Sequence, residues 1–169
     1  MNIWFLVSTI GSPTLWMLAS IILLVVYAQM REFYWKGNER SRHVMKKFMA
    51  VFLVSLIVAF GATYMLKEVV NIPRPCAPCP ADGCNPYCPA DNSFPSGHTA
   101  TAFVLFTSLF IVLGRKRYLP VFAVPVLVGT ARVMLGVHTW LDITGGAVLA
   151  LAVVSVVWYF ERKYFKAAG

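Results

Sequence analysis

Long apolar segments without a polar face limit most strongly what this chain can fold into. Residues 21–26 are entirely apolar, and residues 148–157 have Ser155 as their one polar side chain. Helices of soluble proteins keep one polar face. Apolar residues make up 59% of the chain and charged residues 13%, compared with roughly 45–50% and about 25% in soluble domains. We therefore predict an all-α integral membrane helical bundle, because a helix satisfies its own backbone hydrogen bonds in lipid.

Five segments approach the roughly 20 helical residues that cross a bilayer. They are residues 12–30, 48–66, 97–113, 118–135 and 141–160. Pro120 and Pro125 predict a bend in the fourth segment. Residues 2–10 precede the first segment, lack Lys and Arg, and are expected to form a retained interfacial helix and not a cleaved signal peptide. The length indicates a single domain, residues 1–169.

The basic residues are distributed unevenly along the chain. Its net charge is +8, and 12 of the 15 Lys and Arg residues lie in the stretches 31–47, 115–117 and 162–166. With five crossings, these stretches fall on one side of the membrane, which the positive-inside rule makes cytoplasmic. The charge therefore predicts a cytoplasmic C-terminus and an outer N-terminus in the cell (inner) membrane. Nucleic acid is not needed as a partner to explain it.

One long loop, residues 73–95, is rich in proline and cysteine. It holds seven of the ten prolines and all four cysteines, Cys76, Cys79, Cys84 and Cys88. On an oxidising outer face these cysteines are expected to form two disulfides, with three connectivities open. A zinc or iron–sulfur site is the alternative, although the spacing lacks the paired Cys-x2-Cys motifs of common zinc modules. Either way, we assign the cysteines to structure and not to chemistry.

Three basic residues fall outside the topological pattern. Lys67, Arg74 and Arg132 are all expected at the outer end of the bundle, where their charges would attract a ligand with several anionic oxygens. Ser96 and Gly97 open the third segment, where free backbone N–H groups favour phosphate. Taken singly, these residues also suit interface anchors or a helix cap. Together they predict a phosphate-binding site.

Two of the three histidines fall in the same region. His138 is followed four residues later by Asp142, which could fix the tautomer of the imidazole and leave its other nitrogen as a nucleophile. His98 lies beside Ser96 and Gly97, where it could protonate a leaving oxygen. A satisfied structural His–Asp pair is the alternative interpretation.

The order and spacing of these residues resemble a known family. Three stretches are similar to the three-part signature of the type 2 phosphatidic acid phosphatases. In chain order they are Lys67-x6-Arg74-Pro, Pro-Ser96-Gly97-His98 and Arg132-x5-His138-x3-Asp142. The third motif of that family usually begins Ser-Arg, whereas Ala131 stands here. The resemblance implies a phosphohistidine on His138, orientation by Asp142 and proton transfer by His98. It also implies phosphate binding by Lys67, Arg74, Ser96, Gly97 and Arg132, with no metal and no cofactor.

The expected function is hydrolysis of a phosphate monoester or diphosphate on a membrane lipid, at the outer membrane face. The candidate substrates are a polyprenyl diphosphate, the 1-phosphate of lipid A, phosphatidylglycerol phosphate and phosphatidic acid. Glu68, Asp82 and Asp91 are the other outer carboxylates, and they form no cluster that suits Mg²⁺. The alternatives are an anion transporter or channel, or a non-catalytic lipid-binding protein of the same fold.

Overall fold

The structure is a computed structural model that describes residues 2–33, 39–78, 83–114 and 116–165. These residues form six α-helices and no strand, which confirms the all-α prediction. A 3₁₀ helix, Lys116–Phe122, precedes the fifth helix. The helices are α1 Ile3–Thr9, α2 Pro13–Phe33, α3 Glu39–Val70, α4 Gly97–Leu113, α5 Ala123–Met134 and α6 Trp140–Phe165.

Within the described residues, two helices are long and apolar enough to cross a membrane by themselves. These are α3 and the segment Trp140–Tyr164 of α6. The segments Ile3–Thr9 and Pro13–Tyr27 meet the same criterion only as a pair, with a bend of 43° between them. Helix α4 and residues Leu119–Met134 are apolar but shorter. Five crossings therefore remain a prediction.

Two predicted segments differ from the observed helices at their ends. Helix α3 begins nine residues before the predicted start at residue 48 and includes basic residues, because Lys and Arg favour helix once a helix has formed. The fourth segment is not one bent helix. It is a 3₁₀ helix that contains Pro120, followed by α5 with Pro125 in its first turn, where proline costs no intrahelical hydrogen bond.

The core lies between α3, α4 and α6, which contact one another extensively. Its buried residues are Val51, Phe52, Leu56, Ala59, Val104, Ala150, Val153 and Val154. Glycine allows α6 to approach the start of α4 closely. A Cβ atom at Gly146 would lie 2.6 Å from the carbonyl oxygen of Ser96, and one at Gly145 would lie 2.3 Å from the Phe94 ring. This contact brings the first turn of α6 beside the first turn of α4.

The predicted N-terminal helix forms, and it packs on the bundle. Helix α1 contacts α5, and the ring of Phe5 lies 5.1 Å from that of Tyr87. At the elbow before α2, a Cβ atom on Gly11 would lie 2.5 Å from the carbonyl oxygen of His98. The position of α1 relative to the lipid surface remains a prediction.

The loop between α3 and α4 is closed by a disulfide. Cys76 and Cys88 are joined, with an S–S distance of 2.04 Å, which confirms a structural role for this pair. Cys84 is also disulfide-bonded, and Cys79 lies outside the described residues, as do Lys36, Asp82, Arg115 and Lys166. The loop is also tied to the helices, because the Asn85 amide donates a hydrogen bond to the carbonyl oxygen of Leu135 (2.7 Å).

Candidate active site

A cavity of about 270 Å³ lies where α3, α4, α5 and the closed loop meet. Six of the eight predicted site residues line it, namely Lys67, Arg74, Gly97, His98, Arg132 and His138. Ser96 and Asp142 lie behind this wall and are buried. The structure therefore brings together residues that are separated by up to 75 positions in the sequence.

His138 and Asp142 form a buried pair at the start of α6. The Nδ1 atom of His138 lies 3.4 Å from Oδ2 of Asp142. That oxygen also accepts hydrogen bonds from the Thr139 amide (2.7 Å) and the Ser93 hydroxyl. The hydroxyl of Thr139 accepts in return from the Asp142 amide (3.3 Å), so the carboxylate both begins the helix and faces the imidazole.

The other nitrogen of His138 faces a cation. Its Nε2 atom lies 2.9 Å from Nη1 of Arg74. Because a guanidinium can only donate, Nε2 must be the unprotonated nitrogen and the proton resides on Nδ1, toward Asp142. Burial, with the charges of Arg74 and Arg132, outweighs the hydrogen bond to Asp142 and lowers the pKa of His138 to about 4. The imidazole is therefore neutral at neutral pH, and the lone pair of Nε2 accepts the hydrogen bond from Arg74.

Arg74 is held on three sides. Its Nε atom donates to the carbonyl oxygen of Asp91 (2.8 Å), Nη1 donates to the carbonyl oxygen of Val137 (2.9 Å), and Nη2 pairs with Oδ1 of Asp91 (2.7 Å). The two backbone acceptors belong to different loops. Arg74 thus connects the loop before α4 to the turn that carries His138.

Sequence reasoning missed the role of the triplet Asp91-Asn92-Ser93. Asp91 bridges two predicted site residues, because its Oδ2 atom lies 2.8 Å from Nζ of Lys67 while Oδ1 binds Arg74. Burial alone would raise the pKa of Asp91, but the hydrogen bonds and positive charges of Lys67 and Arg74 together outweigh burial and lower that pKa to about 2. The ammonium of Lys67 also donates to the carbonyl oxygen of Asn92. Two features of the sequence could have indicated this role. Three predicted cations needed a counter-ion, and the polar triplet lies directly before Phe94-Pro95-Ser96.

The start of α4 is capped by Ser96, and the next two residues line the cavity. The Ser96 hydroxyl accepts hydrogen bonds from the amide (3.4 Å) and the hydroxyl (3.0 Å) of Thr99, so it serves as the helix cap. The Ser96 amide donates to the carbonyl oxygen of Asp142 (3.0 Å). Gly97 and the half-buried His98 line the cavity at this helix start.

Arg132 lies opposite these residues on α5. It is buried, and its Nε atom has no hydrogen-bond partner among the described residues. A buried, unpaired donor of this kind is uncommon in folded proteins, and it could donate to an anionic oxygen in the cavity. Ala131 is fully buried, and the Thr130 hydroxyl donates to the carbonyl oxygen of Val126 (3.0 Å). Thr130 therefore does not replace the serine hydroxyl that precedes this arginine in the usual motif.

A second, apolar groove of about 300 Å³ runs between α2 and α3. Its lining includes Met17, Ile21, Leu24, Leu53 and Ile57. Phe60 lines both this groove and the cavity with the buried cations. The polar and apolar spaces are therefore neighbours along α3.

The described residues form a helical bundle that contains two helices able to cross a membrane and a cavity with three cations at one end. These features define the general class as a membrane protein that binds an anionic group. Residues 48–166 match the PAP2 superfamily, and the eight predicted site residues all lie within this stretch. The chain therefore belongs to the PAP2 superfamily.

Individual relatives support the same assignment. The chain is 32% identical over 97 residues to the lipid A 4'-phosphatase of Helicobacter pylori, and this stretch covers 57% of the chain and 49% of that protein. The chain thus spans about half the length of this curated relative.

Two crystal structures share the fold. One is the first transmembrane PAP2-type phosphatidylglycerolphosphate phosphatase from Bacillus subtilis, with a TM-score of 0.64, 21% identity, and coverage of 96% of this chain and 76% of that one. The other is LpxE of Aquifex aeolicus, with a TM-score of 0.60, 24% identity, and coverage of 92% and 83%. The prediction of an integral membrane helical protein is confirmed.

Proposed function

We propose that this protein hydrolyses a phosphate monoester or diphosphate on a membrane lipid through a phosphohistidine on His138, without a metal. One observation carries the proposal. The Nδ1 atom of His138 faces Asp142, and its unprotonated Nε2 atom faces a cavity that holds Lys67, Arg74 and Arg132. A nucleophile beside three cations suits attack on phosphorus, because the cations stabilise the charge on the phosphate oxygens in the transition state.

The reaction would proceed in two displacements. In the first, the lone pair of Nε2 forms a bond to phosphorus as the bond to the leaving oxygen breaks. His98, whose protonated form the negative charge of the bound phosphate stabilises, gives its proton to that oxygen. Arg74 would exchange its hydrogen bond with Nε2 for one with a phosphate oxygen. In the second, water attacks phosphorus, His98 accepts the proton of that water, and the P–N bond breaks. Phosphate leaves, and His138 returns to its neutral form with Asp142 still at Nδ1.

The apolar groove supports a lipid substrate. A phosphate in the cavity would place its attached chains near Phe60, and the groove between α2 and α3 begins at the same ring. Because relatives include a lipid A 4'-phosphatase and a phosphatidylglycerolphosphate phosphatase, phosphorylated lipid A and phosphatidylglycerol phosphate should be tested first. Phosphatidic acid and a polyprenyl diphosphate complete the panel.

The test is phosphate release from these four lipids by the purified protein in detergent, with and without EDTA. His138→Ala should abolish release and the acid-labile phosphate trapped on the protein. His43→Ala is the matched control, because His43 is exposed near the opposite end of α3. Activity that persists in His138→Ala, or that is lost with EDTA, would contradict the mechanism. A protein that releases no phosphate from any of the lipids but transports anions would favour a channel.

We also propose that the site faces the outside of the cell membrane. The cavity lies at the Val70 end of α3, whereas Arg40, Arg42, Lys46 and Lys47 lie at its Glu39 end. The Cys76–Cys88 disulfide suits an oxidising compartment. A reporter fused after Gly169 should therefore be cytoplasmic, and a probe inserted near Gly83 should be labelled from outside. The reverse pattern would contradict this orientation.

A further inference from the structure

Asp91 occupies an unusual place in the cavity. Among the described residues that line the cavity it is the one carboxylate, and it faces Lys67 and Arg74 with one oxygen each, at 2.8 and 2.7 Å. Two oxygens of a phosphate group would contact the same two cations in the same way. Arg132, the third cation, keeps a donor without a partner.

The other nearby carboxylate is not available for this purpose. Oδ2 of Asp142 faces His138 and accepts hydrogen bonds from Thr139 and Ser93. Asp91 is therefore the side chain that balances the buried cations while the site contains no phosphate.

The Asp91 carboxylate can leave without releasing Arg74. The Nε and Nη1 atoms of Arg74 are held by the backbone carbonyl oxygens of Asp91 and Val137, not by a carboxylate. The side chain of Asp91 is 53% exposed, whereas those of Lys67 and Arg74 are 9% and 4% exposed. The cations are thus fixed, and the carboxylate has open space into which it can rotate.

We propose that the Asp91 carboxylate is an internal counter-ion that takes the place of phosphate between Lys67 and Arg74 when the site is empty and is displaced when phosphate binds. The inference rests on the proposed phosphate chemistry. A phosphate group at neutral pH carries a charge of about −1.5 to −2, so it outcompetes the single negative charge of the carboxylate and also reaches Arg132. After hydrolysis, the returning carboxylate competes with free phosphate and speeds its release. Asp91 therefore stabilises the empty site and weakens product binding.

The experiment compares Asp91→Asn with Glu68→Gln in detergent at pH 7.5, with inorganic phosphate as the probe. Both variants lose one negative charge, but Glu68 is exposed and makes no ion pair among the described residues. Thermal unfolding without phosphate and its shift with phosphate give the stability and the affinity. Where a substrate has been found, the inhibition constant of phosphate is measured as well.

Asp91→Asn should unfold at a lower temperature than the wild type without phosphate, yet bind phosphate roughly three- to tenfold more tightly, as expected for removal of a half-exposed competing charge. Glu68→Gln should match the wild type in both respects. Weaker phosphate binding by Asp91→Asn would overturn the proposal, because Asp91 would then be needed to hold Lys67 and Arg74 in their binding positions. Unchanged phosphate binding would overturn it too.

Poor folding of Asp91→Asn is itself informative. Recovery of folded protein when phosphate is present during purification supports the proposal, since phosphate then replaces the missing carboxylate. Failure to recover it with phosphate contradicts the proposal, because the carboxylate would be required in the occupied site as well. If the wild type binds phosphate but hydrolyses no lipid, the proposed function fails and the proposal for Asp91 stands.

Discussion

The two ends of α3 carry similar basic residues in opposite environments. At the Glu39 end, Arg42 pairs with Glu39 at the surface, and Lys46 is exposed. At the Val70 end, Lys67 is buried and held by Asp91 and the backbone of Asn92. Exposed cations contribute little to stability or binding because water and salt screen them. Burial beside other cations is what makes Lys67 a candidate ligand for phosphate.

The largest expected difference between the two ends is in activity. Lys67→Met should lower kcat/KM for phosphate release by about 100-fold or more, because one charge-assisted contact between a buried cation and the transition state is lost. Lys46→Met, which removes an exposed cation from the same helix, should leave kcat/KM unchanged. Steady-state phosphate release measures both variants. An equal loss in the two would show that the total charge of the protein matters, and not the burial of Lys67.

A second comparison is between a glycine at a close helix contact, Gly146, and a glycine with no close neighbour, Gly61. Gly146→Ala should lower the free energy of unfolding by about 1–3 kcal/mol, as overpacking does, because the new Cβ would meet the Ser96 carbonyl oxygen at 2.6 Å. Activity should fall as well, since this contact aligns Asp142 with the start of α4. Gly61→Ala is the control, because a Cβ there has no neighbour within 4 Å and alanine favours helix. Thermal unfolding of the two variants checks the prediction, and equal stability would contradict it.

A smaller effect is expected at Ser93, which is fully buried and donates a hydrogen bond to Asp142. Ser93→Ala should slow phosphorylation of His138 by roughly tenfold, in line with about 1–1.5 kcal/mol for one buried hydrogen bond. Ser155→Ala removes a hydroxyl from an exposed position of α6 and should not change this rate. Rapid-quench measurement of the phospho-enzyme compares the two. A Ser93→Ala rate equal to that of the wild type would show that Thr139 alone orients Asp142.

The mildest perturbation is acidification. Because burial lowers the pKa of His138 to about 4, its neutral form persists as the pH falls below the ordinary value near 6.5. Phosphorylation by a lipid diphosphate, whose leaving group needs little acid catalysis, should therefore remain complete at pH 6 and be half lost only at about pH 4. Circular dichroism at each pH controls for unfolding. A half-loss near pH 6.5 would indicate that His138 is solvated like an ordinary surface histidine.

The sequence predicted those parts of the fold that depend on a few neighbouring residues, such as a helix cap or an apolar run. Helix α4 spans the predicted residues 97–113. Ser96 caps its start, as its side chain allowed, and Gly114 ends it in the left-handed conformation. The apolar run of α3 was recognised, but its extension to Glu39 was not, since basic residues in a helix resemble basic residues in a loop. Pro120 and Pro125 predicted a bend in the fourth segment, whereas the structure has a 3₁₀ helix followed by α5.

The sequence predicted which residues form the site, but not the hydrogen bonds and ion pairs that connect them. The motif spacing located Lys67, Arg74, His98 and His138 at one end of the bundle, and the structure places all four around one cavity. The Asp91 ion pairs could not be predicted in the same way, because they depend on the path of a loop with several possible cysteine connectivities. The cap formed by Ser96 also shows that one residue can satisfy a motif and still direct its hydroxyl into its own helix.

The unpaired Nε atom of Arg132 has a consequence for protein engineering. A buried guanidinium with an unsatisfied donor destabilises the protein when no anion is bound, and an apolar residue of similar volume at this position would not carry that cost. A selection for heat resistance alone would therefore tend to discard Arg132, together with the contact it offers to a bound anion. Stabilised variants of this protein should be selected in the presence of phosphate or under a requirement for turnover, so that the most stable sequences are also the active ones.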